Sequence, residues 1–596
     1  MADRRLLDQA IAEMARNPEQ LAAMQEKGHC VVLAGPGSGK TKTLTTAMAR
    51  ALLEDVIEPR GVACITYNNE CAIELENRLA KLGINPSKRI FIGTVHSFAL
   101  TQVIYPYARC VMPGLTSDFR LATAQECKDS VTTAYQKVLN AGENPQDRWR
   151  FAEAKRRKDV DRTQPGWMGQ NPELARFIEA YEGDLRRKRL IDFDDMPLLA
   201  VKMIREHEWI RRSLHAKFPI LFVDEYQDLG HALHELVLLL CFKSGARLFA
   251  VGDPDQSIYA FTGANPDLLQ GLTSIKGVRE IRLRFNYRCG TNIIEASKAA
   301  LGEERDYQAH EDAGEGEVSF HGTAGDLSAQ ANVLIDKLLP AIQEKGTSLD
   351  QIAVLYRTAR HGDEVAQAAQ RRGLPIVRAD TQALVKRSSR LSRFIEACAR
   401  WVVGGWKDAD PPFRRLAAEA VILVLGGRAS REERQQIETE LITFLHEMLS
   451  KEVSTHYWLI ALRDQLIRPW RTRARTITED WDAIDQMVQR TDPALSDGDM
   501  PLTHFGGRID GRGRLNLSTL HSAKGREFDV VVLFGMNDDI LPNYHEVRRP
   551  DQLREARRLF YVGVTRAKKE LLLIFSKGQH SPWVKELYER TKSSGS

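Results

Sequence analysis

The stretch Ala34-Gly35-Pro36-Gly37-Ser38-Gly39-Lys40-Thr41 follows the apolar run Cys30–Leu33 and leads into a helical pattern that begins at Lys42. Small residues let successive backbone N–H groups curl round a phosphate, and the helix that follows adds its positive dipole end. In that setting Lys40 reaches the β and γ phosphates of a nucleotide and the Thr41 hydroxyl takes Mg²⁺. Such a loop needs a carboxylate at the end of a neighbouring strand. The run Pro219-Ile220-Leu221-Phe222-Val223-Asp224-Glu225 supplies it. Asp224 closes the strand, where it would hold the metal, and Glu225 is placed to take a proton from an attacking water. The chemistry indicated is hydrolysis of a nucleoside triphosphate.

The elements that must position these groups are legible as short β-branched runs. Cys30–Ala34, Val62–Thr66, Ile90–Thr94, Ile220–Asp224, Leu248–Gly252 and Ile281–Leu283 form one group; Ile352–Tyr356, Leu515–Leu520, Val530–Gly535 and Leu571–Phe575 form another. Helical-period segments lie between them, which predicts α/β domains with parallel sheets and crossover helices. Each group is interrupted by a polar, helical stretch, at about 105–190 and about 379–507. The second stretch ends in a linker carrying Pro493, Gly498, Pro501, Gly506, Gly507, Gly511 and Gly513. The expected outline is therefore two α/β cores, each with a helical insertion.

A chain of 596 residues has room for several domains at roughly 100–200 residues each. With 43% hydrophobic and 28% charged residues, the composition is that of a soluble globular protein. A net charge of +4 argues neither for nor against a polyanionic partner, so nucleic acid would have to be held by local patches. Candidates are Arg186–Arg189, Lys386–Arg390 and Arg468–Arg475; the first insertion also holds a cluster of Arg148, Arg150 and Lys155–Lys158. The run Arg468–Arg475 contains Trp470 and no acid, and is the strongest duplex-contact candidate. The eight cysteines never form a C-x-x-C pair, which excludes the usual zinc-ribbon and redox spacings and fits reduced thiols in a cytoplasmic protein. No apolar run approaches membrane-spanning length.

Beyond the phosphate loop the sequence resembles the UvrD/Rep/PcrA group of superfamily 1 DNA helicases, through nearly every motif of both motor domains. Asn17-Pro18-Glu19-Gln20 is similar to the adenine-reading motif, and Ile65–Asn69 and Gly93–Phe98 to the two that follow the phosphate loop. Ile191–Asp195 resembles the acidic re-entry segment, and Val251–Tyr259 motif III. Asn286-Tyr287-Arg288, Ala353–Thr358, Thr519–Phe528 and Arg557–Ala567 resemble motifs IV, IVa, V and VI. The resemblance implies RecA-like P-loop domains at 1–104 with 190–285 and at 286–378 with 508–596. It also implies helical insertions at 105–189 and, reduced in size, at 379–507.

It implies ATP and Mg²⁺ as ligands. Gln20 would contact adenine, Tyr287 stack on it, and Glu527 lie near the ribose, while Gly35 through Lys42 cradle the phosphates. Gln256 would sense the γ phosphate, and Arg288 and Arg566 would reach it from the second motor domain, so that Lys40, Asp224, Glu225, Gln256, Arg288 and Arg566 form the catalytic set. Tyr67, His96, Tyr259, Phe261 and His521 stand where the family faces single-stranded DNA. Phe261-Thr262 replaces the Trp-Arg usual in relatives, which removes a cation from that pocket. The expected activity is ATP-dependent 3′→5′ translocation and unwinding at single-strand/duplex junctions in repair, recombination or replication restart. The alternative is a DNA-stimulated ATPase working with a partner nuclease, as in Gabija-type phage defence.

Overall fold

The computed structural model describes residues 4–85, 87–112, 115, 119–139, 142–169, 171–260, 263–380, 383–385, 389–425, 429–449, 453–474, 479–494, 501–506 and 513–593. Two compact units make up the chain, residues 1–322 with 524–596 and residues 323–523.

The first unit is organised round a six-stranded sheet. Its strand order is Ile90–Thr94, Val62–Thr66, Ile220–Val223, Arg247–Gly252, His29–Ala34, Val278–Leu283. Every neighbouring pair is parallel. A parallel sheet is covered on both faces, and alternate residues of one strand serve different cores. Thus Val31, Ile65, Val223 and Ala250 pack with Phe98, Ile204 and Leu236, whereas Val32, Cys64, Phe222 and Val251 pack with Leu44, Met48 and Leu75. Because the pairing is parallel and in register (Leu33 opposite Gly252, Ile65 opposite Val223), the residues that follow these strands collect at one edge. In open α/β sheets that edge is where ligands bind.

The same unit holds the strands Glu317–Thr323, Ala567–Ser576 and Phe528–Leu533 side by side. It also contains the three helices Ala124–Val138, Pro145–Lys158 and Pro172–Arg187, packed round Tyr135, Trp149, Phe177 and Tyr181. A short parallel pair, Arg120–Leu121 with Leu190–Ile191, closes the base of this helical insertion.

In the second unit, Leu515–Thr519 pairs in parallel with both Ile352–Tyr356 and Ile376–Arg378. The remainder is helical, with Phe394, Leu441, Phe444, Trp458 and Trp470 in its core. Leu502 and Phe505, inside the stretch expected to be linker, are buried in that core as well.

Two basic runs differ from expectation. Trp470 is fully buried and donates from its indole nitrogen to Glu440, 2.8 Å away, so it is a core residue with no face for duplex DNA. Its neighbours are ion-paired: Arg468 with Asp464 one helical turn earlier, Arg471 with Asp482, and Arg473 with Glu440. Likewise Arg186 is held by Asp195, and Arg187 and Lys188 by Asp184. In the cluster Lys155–Lys158, Arg156 is fully buried. Part of the counter-charge lies one helical turn away, in Asp184 and Asp464, and the rest comes from separate elements through Asp195, Asp482 and Glu440. Lys386, Arg387 and Arg475 lie outside the described residues.

Candidate active site

The loop Gly35–Gly39 joins the strand His29–Ala34 to the helix Lys40–Arg50. Gly37 and Gly39 have φ of +68° and +82°, a region open to glycine and costly to other residues. Both are also close to side chains: a Cβ on Gly39 would lie 2.4 Å from Gln20 Nε2, and one on Gly37 would lie 2.4 Å from Asn286 Oδ1. Gln20 Nε2 donates to the Ser38 carbonyl at 2.8 Å, and Ser38 Oγ closes the turn on the Gly35 carbonyl at 2.7 Å. Pro36 is buried in the same turn. Lys40 bends over the loop, with Nζ 3.1 Å from the Ala34 carbonyl and 3.9 Å from Asp253 Oδ2. Thr41 follows on the first turn of the helix, whereas Lys42 points outward to Glu13 at 2.8 Å.

Asp224 and Glu225 follow the strand Ile220–Val223, which is not the immediate neighbour expected of the phosphate-loop strand but is separated from it by Arg247–Gly252. The Asp224 N–H donates to the Ile65 carbonyl, extending the sheet by one bond. Glu225 then takes a left-handed conformation (φ 50°, ψ 46°), which costs a non-glycine residue about 1–2 kcal/mol and is tolerated where the surroundings fix it. Gln227 does so: its Nε2 donates to Glu225 Oε2 while its Oε1 accepts the Asp253 N–H at 2.9 Å. Burial, then the charge of Glu225, pushes the Asp224 carboxyl up to about 7, and burial pushes Asp253 up to about 6 against the pull of Lys40. Burial would raise Glu225 too, but Lys40, Lys524 and the Gln227 bond more than offset it and hold that carboxyl below its usual range. The site is short of positive charge at Asp224. The Thr41 hydroxyl and the Asp224 carboxylate are hard oxygen donors of the kind Mg²⁺ takes alongside phosphate oxygens, so the residues present fit that ion.

Gln256 lies in the short turn Pro254–Gln256 that follows the strand Arg247–Gly252, with Nε2 2.6 Å from Asp253 Oδ2. Its Oε1 faces Arg566 Nη2 at 3.4 Å. Arg566 is almost fully buried, and its Nε donates to the Val562 carbonyl at 3.0 Å. Burial and the nearby charge of Arg288 lower it to about 10, which leaves it cationic at neutral pH. Arg288 Nε donates to Glu527 Oε2 at 2.7 Å, and Lys568 holds the other Glu527 oxygen at 2.9 Å. Tyr287 is half exposed; its backbone N–H donates to the Gly37 carbonyl and its hydroxyl accepts from Asn17 Nδ2 at 2.8 Å. Gln20, Tyr287 and Arg288 thus meet the loop directly, Gln256 and Arg566 connect to Lys40 through Asp253, and Glu527 is tied to Arg288, whereas Lys42 points away. Residues with no local sequence signal join them. The Tyr307 ring lies against Gly35, where a Cβ would come within 2.5 Å, and Arg305 grips Asp255 with two bonds of 2.6 and 2.9 Å.

Two aromatic pairs lie in the same unit. Tyr67 and Tyr259 stack at 4.7 Å, 20° from parallel, and His96 stacks on Phe193 at 3.9 Å. Phe193, inside the acidic segment Asp192–Asp195, is 59% exposed and was not among the expected stacking groups. Lys524 links the regions: Nζ bonds Asp228 and the Gln256 carbonyl and stands 5.2 Å from the Tyr259 ring centroid. Phe261 and Thr262 lie outside the described residues, and His521 belongs to the second unit.

The family profile of the UvrD/REP helicase N-terminal domain matches residues 16–275, and that of the UvrD-like helicase C-terminal domain matches residues 506–578. The chain belongs to the UvrD/Rep/PcrA-like helicase family. Among curated relatives it is similar to the ATP-dependent DNA helicase PcrA of Leuconostoc citreum, 25% identical over 97% of this chain and 83% of the relative. It resembles the ATP-dependent DNA helicase Rep of Escherichia coli to the same degree, 25%, over 95% of this chain and 91% of the relative. A probable DNA helicase II homolog of Mycoplasma pneumoniae is also 25% identical, over 94% and 83%. Family membership agrees with the α/β fold, its parallel sheets and the phosphate loop at a strand–helix junction. Among the described residues no helix is long and apolar enough to cross a membrane.

Proposed function

We propose that this chain is an ATP-dependent DNA helicase that moves 3′→5′ on single-stranded DNA and opens duplex at junctions, in repair, recombination or replication restart. The observation that carries the reading is the gathering of Lys40, Asp224, Glu225, Gln256 and Arg566 beside one phosphate loop, with Lys524 bonded to the Gln256 carbonyl and standing beside the Tyr259 ring of a stacked aromatic pair. The polarity rests on family resemblance. So does the division into motor domains at 1–104 with 190–285 and 286–378 with 508–596, carrying insertions at 105–189 and 379–507.

Backbone N–H groups of the loop and the Lys40 ammonium bind the β and γ phosphates, Gln20 reads adenine, and Tyr287 stacks on it. Thr41 and Asp224 would hold Mg²⁺, and that ion would supply charge neutralisation for the transferring phosphoryl group. Glu225 orients the attacking water and accepts its proton as the new P–O bond forms and the bond to the β-phosphate oxygen breaks. Gln256 registers the γ phosphate, while Arg566 and Arg288 stabilise the charge spread over its oxygens. Arg288 must leave Glu527 to do so. Tyr67, Tyr259, His96 and Phe193 present π faces to successive bases, a sequence-tolerant grip.

The test is ATP hydrolysis by the purified protein with and without single-stranded DNA, beside Glu225→Gln. Strong stimulation by DNA, lost in Glu225→Gln while ATP binding persists, supports the reading. Hydrolysis indifferent to DNA overturns it.

A further inference from the structure

The aromatic platform at His96 and Phe193 is built on a loop that ought to repel DNA. Residues 192–195 read Asp-Phe-Asp-Asp, so Phe193 is surrounded by carboxylates. The loop is a tight turn in which the Asp192 N–H donates to Asp195 Oδ2 at 2.9 Å and the Asp195 N–H to Asp192 Oδ1 at 2.7 Å. Each acid is met by an arginine from the helical insertion. Arg156, fully buried on the helix Pro145–Lys158, forks onto Asp192 at 2.6 and 3.1 Å and reaches Asp195 at 2.6 Å. Arg186, from the helix Pro172–Arg187, takes both oxygens of Asp195 at 2.9 and 2.7 Å. Arg157 donates to Asp194 at 2.9 Å and shares its guanidinium with Glu153 at 3.0 Å. Tyr181 completes the set by donating to Asp192 at 2.7 Å.

Of the four side chains in the loop, the three acids are tied down and Phe193 is turned outward onto His96. Three aspartates facing three arginines leave the loop close to neutral, so a phosphate backbone can approach the exposed ring. A guanidinium fork fixes the direction of a carboxylate as well as its charge. Glu182, the remaining acid around Arg156, has its own partner in Arg162, at 2.5 and 2.7 Å.

We propose that Arg156 and Arg157 are positioning residues of the DNA platform: from the helical insertion they hold and neutralise the loop Asp192–Asp195 so that Phe193 is presented on His96. This rests on the reading that the platform binds single-stranded DNA, and adds to it a structural task for the insertion. Arg156 is buried, and its loss could unfold the insertion. The decisive pair is therefore Arg157 and Asp194 at the rim, where side-chain exposures are 32% and 19%.

The experiment measures binding of fluorescein-labelled oligo(dT) to the full chain across a salt series, for Phe193→Ala, Arg157→Met, Asp194→Asn and Arg157→Met/Asp194→Asn. Removing Arg157 uncovers the Asp194 charge and should weaken binding about three- to tenfold at low salt, as expected for one unscreened like charge near the backbone. Asp194→Asn in the same chain should restore binding to within about twofold, a rescue that a loss of packing would not show. Three results overturn the inference. The first is a silent Arg157→Met while Phe193→Ala weakens binding. Or the double variant stays weak with a salt slope reduced by about 0.7, which would make Arg157 a direct phosphate contact. If Phe193→Ala leaves binding unchanged, the platform reading itself fails.

Discussion

The Lys524 ammonium stands 5.2 Å from the centroid of the Tyr259 ring while it bonds the carbonyl of Gln256. One cation thus touches both the residue that faces Arg566 and the aromatic pair proposed to hold DNA. Lys524→Met should uncouple the two. It keeps the chain length of the stem but removes the charge, so stimulation of ATP hydrolysis by single-stranded DNA should fall at least tenfold while hydrolysis without DNA changes much less. Equal loss in both conditions would show that Lys524 serves the chemistry and not the coupling. Asp228 would be left buried without its partner, which costs about 3–5 kcal/mol when it stays charged, so thermal stability should fall at the same time.

Asp224 gives a pH signature. Burial and Glu225 raise its carboxyl to about 7, so without nucleotide it is mostly protonated at pH 6 and mostly ionised at pH 8.5. Metal coordination requires the carboxylate, so binding of Mg²⁺ and nucleotide should release a proton at pH 6 and almost none at pH 8.5. Titration calorimetry in buffers of different ionisation enthalpy reads this directly, and Asp224→Asn should abolish it. The linked effect on folding has a fixed sign. Asp224, Asp228 and Asp253 all titrate higher folded than unfolded, so the folded chain holds more protons between about pH 4 and 7. These groups must therefore lower the nucleotide-free stability as pH rises through that window.

Arg566→Ala should lower kcat by about 10³–10⁵ with little change in KM, the range for removing an arginine that acts on a transferring phosphoryl group. Arg566→Lys should recover only a small part. The guanidinium uses its Nε on the Val562 carbonyl and its Nη2 towards Gln256, two directions that a single ammonium cannot serve. Full recovery by Lys would show that charge alone matters there.

Local pattern carried the α/β reading far. Each β-branched run read as a strand coincides with one, because buried parallel strands are apolar on both faces and stand out from their surroundings. The phosphate loop was legible because its chemistry depends on backbone geometry that few residues permit. What escaped was set by distant parts of the chain. Trp470 reads locally as part of a duplex-contact patch among arginines, whereas Glu440, thirty positions earlier, takes its N–H. Tyr307 and Arg305 carry no motif, and meet Gly35 and Asp255 only once the strands are assembled. Phe193 carries no stacking signal in the sequence because its neighbours are acids, and the arginines that neutralise them lie on other helices.

Gly39 links backbone strain to base recognition in one measurable way. At φ +82° an alanine is strained by about 1–2 kcal/mol wherever it sits, and its Cβ would also meet Gln20 Nε2 at 2.4 Å. Gly39→Ala should therefore lower stability and weaken ATP binding, with Gln20 pushed from the Ser38 carbonyl. Gln20→Ala alone should weaken binding of ATP more than that of a nucleotide with a different base. In the double variant the steric part disappears and the φ strain remains, so the two changes should cost less together than the sum of the single ones, by about 0.5–3 kcal/mol. Thermal unfolding and equilibrium binding of a fluorescent ATP analogue would measure both. Strict additivity would mean that Gln20 does not pack on the loop in solution, and the adenine contact assigned to it would then have to be sought elsewhere.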